Sequence, residues 1–204
     1  MKPLIVANWK MNPGSLPEAK KLFSLTKKRA VICPPFVYLA HLRANGAQDC
    51  FWEEKGAYTG EISPQMLKRL GVKYVIVGHS ERRKYQKETD KIIEKKLRAV
   101  LRAGLKPILC LDKISQLPKD IKRGFVVAYE PLFAIGTGKA CSPERAERMR
   151  RAIKKKVGVP VLYGGSVNSK NARDYIKKAR FDGLLVGGAS LKAKEFIDII
   201  EAVC

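Results

Sequence analysis

Five places in the chain hold residue types that could do chemistry together. Asn8 and Lys10 set an amide and an ammonium two residues apart. His79-Ser80-Glu81-Arg82 contains one of only two histidines, the other being His41. Glu130 is a carboxylate placed directly before Pro131. Gly164-Gly165-Ser166 and Gly187-Gly188 are glycine clusters, where backbone N–H groups can approach an anion. A carboxylate, an imidazole, an ammonium and two glycine-rich loops are the inventory for proton transfer on a small phosphorylated carbonyl compound. Singly, each has a plainer reading. A lone lysine is a solvated charge, Gly-Gly and Glu-Pro are turns, and Ser-Glu-Arg-Arg opens a helix. What sets these five apart is that each directly follows a short apolar run that reads as a strand.

Those runs are Leu4–Asn8, Ala30–Cys33, Gly46–Gln48, Tyr74–Val77, Pro107–Leu111, Phe125–Tyr129, Val161–Tyr163 and Gly183–Val186. They are almost continuously apolar, as strands covered on both faces must be. Amphipathic stretches separate most of them. Leu16–Lys28 follows Ser15 as a cap, Glu144–Val157 follows Ser142-Pro143, and Ala193–Val203 closes the chain. Strand and helix alternating through one domain, residues 1–204, predict a parallel sheet, and eight strands predict a closed α/β barrel of the (β/α)8 type. In such a barrel functional groups sit at the C-terminal strand ends, where the five motifs fall. Between the fifth and sixth strands only Asp112–Gly124 remains, room for at most a short helix such as Ser115–Ile121.

Hydrophobic residues make up 46% of the 204, enough for a real core. The first residues lack a signal-peptide apolar region, and no run reaches the length of a membrane span. Five scattered cysteines, Cys33, Cys50, Cys110, Cys141 and Cys204, form no C-x-x-C pair. That argues against a disulfide framework or structural zinc and for a reducing cytoplasm. The net charge is +22. Its basic segments, Lys20–Arg29, Arg82–Arg102, Arg145–Lys156 and Lys170–Arg180, also carry apolar residues at helical spacing. They read as solvated helix faces, and no aromatic residues interleave as a nucleic-acid stacking platform requires. Neither a nucleic-acid nor a membrane partner is expected.

The strings Asn8-Trp9-Lys10-Met11-Asn12, Gly78-His79-Ser80-Glu81-Arg82-Arg83 and Ala128-Tyr129-Glu130-Pro131 resemble the triosephosphate isomerase family. So do Ala134-Ile135-Gly136-Thr137-Gly138-Lys139, Tyr163-Gly164-Gly165-Ser166-Val167, Gly187-Gly188-Ala189-Ser190-Leu191 and the stretch from Gly56 to Ser63. They stand in the family's order and cover nearly the whole chain. The resemblance implies interconversion of D-glyceraldehyde 3-phosphate and dihydroxyacetone phosphate through an enediolate, in glycolysis and gluconeogenesis. It implies that Glu130 is the base and that His79, neutral, polarises the carbonyl oxygen. Lys10 and Asn8 would bind substrate oxygens, with Glu81 holding Lys10 and the helix starting at Ser80. Gly136, Ser166, Gly187 and Gly188 would bind phosphate, beneath a lid over Pro131–Lys139. No metal or cofactor is expected. Cys50–Glu61 resembles the loop that enters a neighbouring subunit and brings Thr59 near its Asn8, implying a homodimer; in an isolated chain Phe51, Trp52 and Tyr58 would lie exposed.

The chain departs from the family in being short, with trimmed outer helices. The family's lid tryptophan is replaced at Phe133, and its glutamate after the fifth strand at Lys113. Phe133 has no N–H to donate and Lys113 cannot accept, so a contact that holds the open lid is lost on both sides. Two other readings stay open here. One is a degenerate barrel acting as a basic interaction protein; the other is a different phosphosugar isomerase or aldolase on the same fold.

Overall fold

The computed structural model describes residues 2–134 and 140–204. Eight strands run parallel: β1 (Leu4–Asn8), β2 (Val31–Cys33), β3 (Gly46–Ala47), β4 (Tyr74–Val77), β5 (Lys106–Leu111), β6 (Val126–Tyr129), β7 (Val161–Tyr163) and β8 (Gly183–Val186). They pair in the order β2-β1-β8-β7-β6-β5-β4-β3. Parallel neighbours need crossovers, and helices supply most of them: α1 (Leu16–Thr26), α2 (Phe36–Leu42), α3 (Pro64–Arg69), α4 (Ser80–Tyr85), α5 (Asp90–Arg102), α6 (Pro143–Lys156), α7 (Ala172–Lys177) and α8 (Ala193–Val203). The result is a nearly closed single-domain (β/α)8 barrel, as the alternation predicts.

Strand parity explains the continuous apolarity. Successive side chains point to opposite faces. Val6, Ile76, Ile108, Cys110, Val126, Ala128, Leu162 and Leu185 fill the barrel interior. Their neighbours Ile5, Ala7, Val75, Val77, Leu109, Val127, Val161 and Leu184 face outward into the layer packed by the helices.

Helix starts follow local chemistry. Ser15 Oγ accepts the Glu18 N–H at 3.4 Å, and Ser142 Oγ accepts the Arg145 N–H at 3.3 Å. Where the structure differs from expectation, the causes are also local. The basic run Arg82–Arg102 is divided between two helices, α4 and α5. Lys87 turns left-handed, and Thr89 Oγ1 then caps α5 by accepting the Ile92 N–H at 3.3 Å. The short helix expected over Ser115–Ile121 is only a 3-10 turn, Ile114–Gln116. Pro118 follows Leu117, and the residue before a proline avoids the helical region; Leu117 is accordingly extended. No helix among the described residues is long and apolar enough to cross a membrane.

The barrel closes differently at one place. β2 and β3 are the two ends of the hydrogen-bonded order, and β3 is only two residues long. Gly46 lets its backbone lie against β2, since a Cβ there would sit 2.5 Å from Cys33 Sγ. Two side chains then stitch the seam. Asn45 Oδ1 accepts the Ile32 N–H at 3.1 Å, and Gln48 Nε2 donates to the Cys33 carbonyl at 2.9 Å.

β1 and β8 meet as closely at Gly183, where a Cβ would lie 1.9 Å from the Leu4 carbonyl oxygen. Backbone cannot yield as a flexible side chain can. Gly183→Ala is expected to cost about 3 kcal/mol or more, read as a lowered urea midpoint; an unchanged midpoint would contradict this account of the packing.

Candidate active site

The C-terminal strand ends converge on one cavity of about 280 Å³, walled by Asn8, Lys10, His79, Glu130, Gly164, Gly165, Ser166, Gly187 and Gly188. Asn8 ends β1, His79 follows β4, Glu130 follows β6, and the glycine clusters follow β7 and β8. The supporting residues Ser80 and Glu81 do not line it, nor does Thr59, expected near a second subunit's Asn8; Gly136 lies outside the described residues together with most of the expected lid.

Glu130 is 2% exposed and His79 6% exposed. The Ser80 N–H donates to Glu130 Oε2 at 3.2 Å, and His79 Nε2 lies 3.2 Å from Glu130 Oε1. On its other side His79 caps α4, with Nδ1 accepting the Glu81 N–H at 3.2 Å. A ring nitrogen that accepts carries no proton, so the proton is on Nε2 and the imidazole is neutral. Glu81 Oε2 lies 3.6 Å from Nδ1, beyond hydrogen-bond distance. That carboxylate instead grips Lys10 Nζ at 2.6 Å through Oε1. Ser80 contributes its backbone; its hydroxyl has no hydrogen-bond partner among the described residues.

Lys10 has a left-handed backbone, φ 54°, a conformation that costs a non-glycine residue about 1–3 kcal/mol. Its N–H is taken by Asn8 Oδ1 at 3.0 Å. The glycines serve close approach. A Cβ at Gly164 would lie 2.9 Å from Glu130 Cγ, and one at Gly187 3.4 Å from Lys10 Cε. A side chain at Gly164 would push on Glu130, whereas one at Gly187 would meet Lys10 at ordinary van der Waals contact.

The segments flanking residues 135–139 are anchored to the barrel. Ser166 Oγ donates to the Ala134 carbonyl at 2.6 Å. The Arg145 guanidinium lies 4.5 Å from the Phe133 ring centroid, a cation–π contact. On the far side both backbone groups of Cys141 are held. Its N–H donates to Tyr163 Oη at 3.1 Å, and its carbonyl accepts from Tyr175 Oη at 2.5 Å. Those two rings stack at 3.6 Å.

Three neighbours of the site, Cys110, Gln48 and Lys96, have no sequence motif. Cys110 lies under Glu130; burial, and then the Glu130 charge, push its thiol well above the ordinary range, which keeps it un-ionised and unreactive. Gln48 touches the Lys10 carbonyl at 2.8 Å. Lys96 is buried at 2% exposure and bonds Asp49 at 2.6 and 2.8 Å and Glu88 at 2.6 Å. Arg82, next to Glu81, donates from Nε to Glu88 Oε1 at 2.5 Å and pairs ionically with Asp49 at 2.8 Å. Only a lysine forty-seven residues from its aspartate, inside a helical pattern, could have hinted at this network. Burial raises Asp49 to about 6, Glu88 adding to the rise while Lys96 and Arg82 oppose it.

The loop from Cys50 to Glu61 is less open than expected. Phe51 and Trp52 are half-buried, their rings 4.0 Å apart, and Lys95 sits over Trp52 at 5.2 Å. Tyr58 alone of the three is exposed, at 45%.

A family model described as triosephosphate isomerase matches residues 3–203. A triosephosphate isomerase from Alkaliphilus oremlandii is 41% identical over 244 positions, covering 98% of each chain. One from Herpetosiphon aurantiacus is 41% identical over 245 positions with the same coverage. One from Gloeobacter violaceus is 44% identical over 200 positions, 85% of this chain and 83% of the relative. The first two alignments are longer than the 204 residues of the chain, so the relatives carry segments it lacks.

The ion network gives a stability prediction. The folded state holds the Asp49 proton up to about 6, against 3.8 for the free side chain. Asp49 therefore stabilises the fold most below the lower value, and this contribution is lost as pH rises through the higher one. Relative to wild type, Asp49→Asn should gain stability as pH rises between about 4 and 7, measured by urea unfolding. A difference between the two proteins that is flat with pH would contradict it.

Proposed function

Since the chain belongs to the triosephosphate isomerase family, we propose that Glu130 is the base and His79 the electrophile of its reaction. The protein is an isomerase that interconverts triose phosphates. Glu130 takes the proton from one carbon of the bound triose phosphate, and negative charge grows on the carbonyl oxygen. The neutral imidazole of His79 donates its Nε2–H to that oxygen, and Glu130 returns the proton to the adjacent carbon. The observation that carries this reading is the pair itself: a carboxylate 2% exposed, 3.2 Å from an Nε2–H, at the wall of a cavity shared with Lys10. Burial excludes water and strengthens both interactions.

In this reading Lys10 and Asn8 meet the enediolate and phosphate oxygens. Backbone N–H groups of Ser166, Gly187 and Gly188, joined by Gly136 of a lid over Pro131–Lys139, bind the phosphate. Glu81 and Ser80 are supporting residues, one gripping Lys10 and the other holding Glu130. The enzyme serves glycolysis and gluconeogenesis in the cytoplasm without metal or cofactor. It works as a homodimer in which the loop 50–61 enters a second copy and Thr59 approaches that copy's Asn8. Supporting this, Met11 is 92% and Tyr85 64% exposed beside a second cavity of about 590 Å³ that also touches Asn8 and Lys10.

Glu130→Gln should lower kcat for glyceraldehyde 3-phosphate isomerisation by about 10²–10⁴ with the fold intact, measured by coupled assay. Full activity in that variant would remove Glu130 as the base. Sedimentation at assay concentrations should give a dimer, and a fully active monomer would sink the subunit arrangement.

A further inference from the structure

Beyond closing the seam, Gln48 has no role in the site as described above. It follows β3 at the seam where β2 and β3 form no backbone ladder. Its Nε2 donates to the Lys10 carbonyl at 2.8 Å and to the Cys33 carbonyl at 2.9 Å. Both acceptors are carbonyl oxygens, so the amide nitrogen and not its oxygen must face them, and both of its N–H bonds are used. The Cys33 carbonyl also accepts the Trp9 N–H at 3.1 Å. One amide thus fixes the residues just past β1 to the end of β2.

Lys10 needs such a hold. Its left-handed backbone is one that lysine does not adopt unaided. Its N–H is bound by Asn8 Oδ1 and its ammonium by Glu81, and the carbonyl is held by Gln48. We propose that Gln48 is a positioning residue for Lys10: by closing the β2–β3 seam with its two N–H groups it fixes the left-handed turn that aims the ammonium into the cavity. The inference rests on the reading of Lys10 as a substrate-binding residue. The length of β3 makes sense in this light. With only Gly46 and Ala47 in the strand and no Cβ at Gly46, the chain comes near enough to β2 for a glutamine side chain to span the gap.

The test compares Gln48→Met, which keeps the shape and loses both donors, with Asn45→Ala, which breaks the other seam bond, to Ile32, and leaves Lys10 untouched. Both should unfold at lower urea. Only Gln48→Met should raise the KM for triose phosphate and the inhibition constant of inorganic phosphate, each by roughly tenfold. Equal rises in both variants would mean that Gln48 is merely structural and would overturn the proposal. If Gln48→Met does not fold, Gln48→Glu supplies the answer. Its carboxyl regains a donor when protonated, so its KM should approach that of wild type as pH falls; a pH-independent ratio to wild type would overturn the proposal. Lys10→Met separates the premise from the inference. Loss of activity there with an unchanged KM in Gln48→Met defeats the positioning role alone. Wild-type KM in both defeats the role of Lys10 and the inference with it.

Discussion

The backbone N–H of Glu81 points at His79 Nδ1 from 3.2 Å, and a ring nitrogen that accepts cannot also hold a proton. This leaves the imidazole neutral, with its one N–H on Nε2, facing Glu130 Oε1. The same residue that fixes the tautomer through its backbone holds Lys10 through its carboxylate. The Glu130 carboxylate, the His79 imidazole and the Lys10 ammonium are therefore linked through α4, a helix of six residues. The start of that helix is itself held, because the Ser80 N–H bonds Glu130. Moving any one of these groups changes the surroundings of the other two.

What surrounds this unit has been reduced without reaching it. The chain lacks segments present in relatives 41% identical to it, and between β5 and β6 a single 3-10 turn stands where a helix could pack. The strand interior is nevertheless complete, because its packing comes from alternate residues of the strands themselves. The outward residues there stay covered all the same: Leu109, Leu111 and Val127 are buried, with Leu117 and Ile121 of the connection packed against the same layer. The strand ends that wall the cavity depend on the pairing of the strands, which is continuous from β2 round to β3 and open only at the β2–β3 seam.

Charge follows the same division. The +22 net charge belongs largely to outward helix faces. Part of it is offset within helices by Arg98–Glu94, Arg151–Glu147 and Lys178–Asp174, one turn apart. Exposed pairs of this kind add little stability. The buried pairs of Lys96 with Asp49 and Glu88 differ: removing one partner leaves an uncompensated charge in the interior. A basic surface also attracts an anionic substrate over roughly a Debye length, independent of how the site is built.

The sequence by itself determined what local pattern can encode. Continuous apolar runs marked the eight strands to within a residue or two, Ser15 and Ser142 marked helix starts, and the polar residues after each run marked the rim that gathers Asn8, Lys10, His79 and Glu130. The resemblance supplied their roles. Only the tertiary structure decided that β3 stops at Ala47 and leaves Gln48 to bind across the seam, that Lys10 is left-handed, and that Asp49 meets Lys96. The physical reason is range. Capping and strand parity act over a few residues and leave a periodic trace. A hydrogen bond between residues 38, 47 or 71 positions apart leaves none, because it exists only once the barrel has closed and brought its partners together.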